Sequence, residues 1–111
     1  MSVAWAITPE KVHSAVQRIL EVSKPKKIIL FGSFIRGKVN VHSDLDVLIV
    51  TGDEVENSRK ESVRIRRALK GISMPMDILV ITETKFKELA DQPGLIYREI
   101  VKYGEVVYDA A

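Results

Sequence analysis

The sequence predicts an α/β (α+β) fold: a small mixed sheet of three to four strands with helices packed on it. Two observations lead there. Segments with helical spacing alternate with short β-branched runs in the order helix, strand, turn, strand, helix, strand, helix, helix, strand, which is the pattern of a sheet covered by helices. The 111 residues, 46% of them hydrophobic, also supply enough apolar surface for one core, so a single domain over residues 1–111 is expected.

Each element has its own signals. Thr8-Pro9-Glu10 reads as an N-cap, a first-turn proline and an acid matched to the helix dipole, and Val12, Ala15, Val16, Ile19 and Leu20 then share one face, giving a first helix from about Pro9 to Val22. Residues 26–31 (KKIILF) form a short apolar run between Pro25 and Gly32, hence a buried strand. Residues 34–38 have room for one helical turn. Residues 45–50, bounded by Ser43-Asp44 and Thr51-Gly52-Asp53, make the second strand. Ser58, with Glu61 three residues on, has the form of a capping box and opens a helix to about Lys70, before Gly71. Residues 76–81 (MDILVI) are the third strand. Thr82 or Thr84 caps a short helix through Ala90, Pro93 starts another that reaches Tyr103 with Gly104 as its C′ residue, and residues 105–108 add an edge strand. Strands two and three, joined through a helix, are expected to be parallel with a right-handed crossover. The length between strands one and two permits either direction.

Composition narrows the function classes. Seventeen Lys plus Arg against 15 Asp plus Glu leave a net charge of +2, too little to argue a nucleic-acid or membrane partner from charge. There is no cysteine, so disulfides, thiolate metal sites and cysteine nucleophiles are excluded. No apolar run approaches a membrane span and no signal-peptide layout opens the chain, which together point to a cytoplasmic protein without a membrane partner.

The chemistry begins at Gly32, in LFGSFIRGKV. The letters G-x-x-x-x-G-K invite a P-loop reading, which fails because a hydroxyl residue must follow the lysine and here Val39 does. The segment after it also reads as irregular chain leading to a strand, where a P-loop needs a helix. A longer constellation fits better: Gly32-Ser33, ten residues, Asp44-Leu45-Asp46, then Asp77 opening the third strand. Residues two apart in a strand share a face, so Asp44 and Asp46 present adjacent carboxylates while Leu45, Val47 and Ile49 fill the other side. Carboxylates that close repel unless a cation lies between them, and hard oxygen ligands suit Mg²⁺ or Mn²⁺ completed by substrate phosphates. If strands two and three are parallel, Asp77 joins the pair at one sheet end. Gly32-Ser33 joins them only if strand one is antiparallel to strand two. Gly32 then allows close backbone approach to a phosphate, with Ser33 able to hydrogen-bond it.

This set resembles the nucleotidyltransferase superfamily that includes DNA polymerase beta, and within it the single-domain minimal nucleotidyltransferases. Arg36-Gly37, Ser43 and the ending REIVKYGEVVY are similar too, so the resemblance spans nearly the whole chain. It implies the polymerase beta palm-like fold, with Gly32, Ser33, Arg36 and Ser43 binding nucleotide and Asp44, Asp46 and Asp77 serving as catalytic metal ligands for Mg²⁺ (two ions, Mn²⁺ possible). Asp77 would also favour deprotonation of the attacking hydroxyl. The implied activity is transfer of a nucleoside monophosphate, AMP from ATP, or another NTP's, onto a hydroxyl. In modules of this kind the minimal nucleotidyltransferase is an antitoxin that adenylylates a tyrosine of a small helical HEPN-domain toxin. Occlusion of the partner without catalysis, and transfer to a nucleic acid or small molecule, are the competing readings.

Taken singly, each of these residues has a plainer explanation: Asp44 as a turn cap, Gly32-Ser33 as a turn, Asp77 as a strand start. Their joint spacing favours the site. Arg36 serves phosphate or the surface equally well. Lys38 and His42 read as surface, and His13 falls on the polar side of the first helix. Arg59, Lys60, Arg64, Arg66, Arg67 and Lys70 make the second helix basic, which reads first as a solvated face and second as a docking surface for an acidic partner, with RNA disfavoured by the lack of aromatic residues there. Trp5, Tyr97, Tyr103 and Tyr108 read as packing residues. A homo-oligomer and a heteromeric partner are both open.

Overall fold

The structure, a computed structural model, describes residues 7–32, 35 and 44–110. The helical turn expected at residues 34–38 lies outside the described residues except for Ile35, and so do Trp5, Lys38 and His42. Eight elements follow one another: α1 (Pro9–Val22), β1 (Pro25–Phe31), β2 (Leu45–Thr51), α2 (Ser58–Ala68), β3 (Met76–Thr82), α3 (Glu83–Ala90), α4 (Ile96–Tyr103) and β4 (Glu105–Asp109). The four strands form one sheet in the order β3-β2-β1-β4. β1 is antiparallel to both β2 and β4, and β2 is parallel to β3, so the sheet is mixed. Among the described residues no helix is long and apolar enough to cross a membrane.

Side chains alternate along a strand, and each face of this sheet is covered by its own helices. Ala15 and Ile19 of α1, Ile65 of α2 and its C-cap Leu69 pack with Ile28, Leu30, Leu45, Val47, Ile49 and Ile78. On the other face Phe86 of α3 and Ile100 of α4 meet Ile29, Leu48, Val50 and Ile81. Central β2 is therefore buried on both sides, which is why its run from Val47 to Val50 is continuously apolar. Full burial of a side chain such as Ile49 stabilises the fold by about 1.5–3 kcal/mol.

The helix ends are set by tertiary contacts as well as by local signals. Thr8 caps α1 as expected, its hydroxyl accepting from the Lys11 N–H at 3.2 Å. The cap of α2 is Asn57, whose side-chain oxygen accepts from Lys60 N–H at 3.0 Å, and Ser58 is the first helical residue. Glu61 turns to the Ser23 hydroxyl at 2.9 Å and to Arg64 at 2.9 Å instead of closing a capping box. Thr82 occupies the N-cap of α3 without a side-chain bond. Asp53, from the loop after β2, caps it instead by accepting from the Thr84 N–H at 3.1 Å and from the Thr84 hydroxyl. Those bonds, the hydroxyl's first, hold the Asp53 carboxyl below its ordinary range. α4 begins at Ile96 and not at Pro93, because Pro93-Gly94 form a turn with Gly94 at φ +85. Gly104 ends α4 with extended backbone (φ −69) and not the left-handed form, its N–H bonding Ile100 carbonyl at 2.8 Å. Glycine is required there for closeness: a Cβ would collide with the Ile100 carbonyl and the Ile29 side chain.

Candidate active site

Strand directions bring the acidic positions together. Because β1 runs against β2, its last residue, Phe31, stands opposite Asp46, and Gly32 turns away just beyond. Because β3 runs with β2, Asp77 is the register partner of Asp46. Neighbouring strands lie about 4.8 Å apart, so the two carboxylates rise side by side on the α3/α4 face of the sheet. Asp44 precedes β2 by one residue, exposed at the same end, where the Leu45 N–H bonds the Pro75 carbonyl at 2.9 Å and ties the two strand starts together. Gly32 has φ +88, and a Cβ on it would be driven into the Asp46 carboxylate. Only glycine satisfies both conditions.

Among the described residues the cluster is short of positive charge. Burial raises the Asp46 pKa, and the Asp77 and Asp44 carboxylates raise it further. Among the described residues that line the cavity the one cation is Arg66 of α2, which reaches the edge of β3, donates to the Ile78 carbonyl at 3.1 Å and lies 3.8 Å from the Asp77 carboxylate. Gly32, Asp46, Asp77 and Arg66 line the polar side of a cavity of about 460 Å³, and Ile96, Ile100 and Tyr103 of α4 wall its apolar side. Its size and its mix of apolar wall and convergent polar groups suit a small ligand.

Of the positions expected from sequence, Gly32, Asp44, Asp46 and Asp77 thus meet at one sheet end, while Ser33, Arg36 and Ser43 lie outside the described residues. Among the described residues no three acidic or histidine side chains are clenched into a ready ion cage. The donor set still fits Mg²⁺, which is commonly held by one or two carboxylates together with substrate phosphates and seldom by an all-protein cage. Sequence reasoning missed Arg66 as a site residue, since it is one of several basic residues on α2. It also missed the α4 wall. Tyr103, expected to be a packing residue, is 44% exposed and lines the cavity, whereas Tyr97 does pack, edge-on to Phe86 at 6.2 Å. The signal for the wall was present in the spacing of Ile96, Ile100 and Tyr103, four and then three residues apart.

Comparison with known proteins bears on the family and the fold. Residues 14–111 match the family model described as polymerase beta, nucleotidyltransferase. No curated protein matches the chain. Among solved structures, a Sulfolobus solfataricus protein described as a nucleotidyltransferase superposes with a TM-score of 0.64 at 19% identity, over 91% of this chain and 79% of that one. A toxin-antitoxin structure with AMP-PNP gives 0.52 at 20% identity, over 86% and 72%. A mutant of the toxin-antitoxin MntA-HpeT gives 0.54 at 18% identity, over 95% and 75%. At such identities the shared property is the fold.

Proposed function

The chain belongs to the polymerase beta nucleotidyltransferase family, and from that premise we propose that it transfers AMP from ATP to a tyrosine hydroxyl of a small helical HEPN-type toxin, acting as that toxin's antitoxin. The observation that carries the transferase part is the in-register pair Asp46 and Asp77 with Gly32 pressed against Asp46. The antitoxin part takes its support from two toxin-antitoxin assemblies of like fold, one of them with AMP-PNP.

In this reading Gly32 lets the backbone approach the triphosphate, with Ser33, Arg36 and Ser43 completing its contacts. The acceptor oxygen attacks the α-phosphorus, the bond from that phosphorus to the pyrophosphate oxygen breaks, and Asp77 favours departure of the hydroxyl proton. Asp44, Asp46 and Asp77 would hold Mg²⁺ or Mn²⁺, two ions in all, which when bound supply positive charge to the attacking and leaving oxygens. Ile96, Ile100 and Tyr103 of α4 offer the nucleotide an apolar wall.

The test is to incubate the chain with Mg²⁺, α-labelled ATP and the co-expressed partner, and to locate the label. Label on a partner tyrosine, lost by at least about a hundredfold in Asp44→Asn and Asp46→Asn, is expected. Label on a nucleic acid or small molecule instead would reassign the acceptor. Neutralisation by mutants that transfer nothing would reduce the protein to an occluding binder.

A further inference from the structure

β3 is an edge strand, and between it and α2 runs a groove of about 450 Å³, lined by Arg59, Ser62, Val63 and Arg66 of the helix and by Ile78 and Val80 of the strand. Three features set it apart from a plain solvated surface. Its charged lining residues are both arginines, with no acid among the described residues that line it. Val63 is 45% exposed on a helix otherwise dominated by charge. And Arg66 and Ile78 line the carboxylate cavity as well, so the groove opens directly onto Asp77.

The strand edge adds a directional element. Backbone groups of successive strand residues point alternately to either side, and the bond from Arg66 to the Ile78 carbonyl shows that Ile78, and by alternation Val80, face the open edge. Arg59 and Arg66 are seven residues apart, two helical turns or about 10.5 Å along the axis, the reach of about three residues of extended chain. A guanidinium has five N–H donors, and the Ile78 bond takes one of Arg66's.

We propose that this groove docks an extended, acidic polypeptide segment of the acceptor, with its carboxylates on Arg59 and Arg66 and its backbone along β3, so that the residue next to the acids is delivered to Asp77. A protein segment is favoured over single-stranded nucleic acid because the groove offers a strand edge and no aromatic platform for bases. The inference rests on the transferase reading only for what happens at Asp77; the docking itself does not.

The probes are three fluorescein-labelled peptides carrying one tyrosine flanked by glutamates, by serines or by lysines, and a single-stranded oligonucleotide, all measured by fluorescence polarisation without nucleotide or metal. The glutamate peptide is expected to bind at least tenfold tighter than the serine peptide and to weaken with salt. The Arg59→Glu/Arg66→Glu variant, checked for folding by circular dichroism, is expected to reverse the preference toward the lysine peptide. The same charge change elsewhere, Lys24→Glu/Lys85→Glu, is expected to leave it in place. Equal affinity for all three peptides, an unchanged preference in the arginine variant, or tight oligonucleotide binding without glutamate preference overturns the proposal. Glutamate preference in a protein that transfers no label would leave the groove standing and remove the transferase reading; label transfer without the preference would do the reverse.

Discussion

Asp46 concentrates the tension between folding and chemistry at one residue. Burial and the neighbouring Asp77 and Asp44 raise its pKa, so the folded chain holds that proton more tightly than the unfolded chain does. For an acid the consequence is that ionisation costs stability: the penalty is absent below the unfolded value, grows as pH rises from there to the raised folded value, and is complete above it. Asp46→Asn should therefore raise the melting temperature in metal-free buffer near neutral pH while it abolishes transfer, a trade between stability and activity. Mg²⁺ should raise the melting temperature of the wild type, by an amount equivalent to about 2.7 kcal/mol at a hundred times its dissociation constant, and raise that of Asp46→Asn much less. Thermal scans with and without Mg²⁺ check both. The pairing of Asp46 with Asp77 was legible in the sequence because each stands second in its strand, and parallel neighbours bring like positions together. Arg66 was not legible as a site residue, because nothing in a run of basic residues marks the one that meets a strand edge.

At the scale of elements, strands were easier to read than helix boundaries. Short apolar, β-branched runs placed β1, β2 and β3 to within a residue, whereas Asn57 and Ser58 are both good caps and local sequence does not choose between them. The choice is made by tertiary structure: Glu61, which a Ser58 capping box would use, is engaged by Ser23 and Arg64. Asn57→Ala is accordingly expected to cost about 1 kcal/mol, and Ser58→Ala no more than about 0.5 kcal/mol, both read by urea denaturation. A larger loss at Ser58 would restore the capping box. The cap of α3 was harder still to foresee, since Asp53 comes from a loop some thirty residues upstream in sequence of its Thr84 partner.

Across the whole molecule, the alternation of helix and strand was enough to predict a mixed, helix-covered sheet, but not which helices cover which face. That depends on which of two equally apolar strand faces each helix meets. The outcome is uneven: α1 and α2 share the larger core, and α3 and α4 rest on the smaller one built around Phe86 and Ile100. Native-state hydrogen exchange should show the amides of α3 and α4 opening before those of β1 and β2. Phe86→Ala, expected to cost about 3–5 kcal/mol, should widen that gap. One joint on this looser face is nonetheless tight, at Gly104, where the α4 backbone meets the Ile29 side chain and Leu30 backbone of β1 without room for a methyl group. The far wall of the cavity is thus bolted to the sheet at its C-terminal end, and a designer wanting a different ligand shape must recarve Ile96 or Tyr103 and cannot count on tilting the helix.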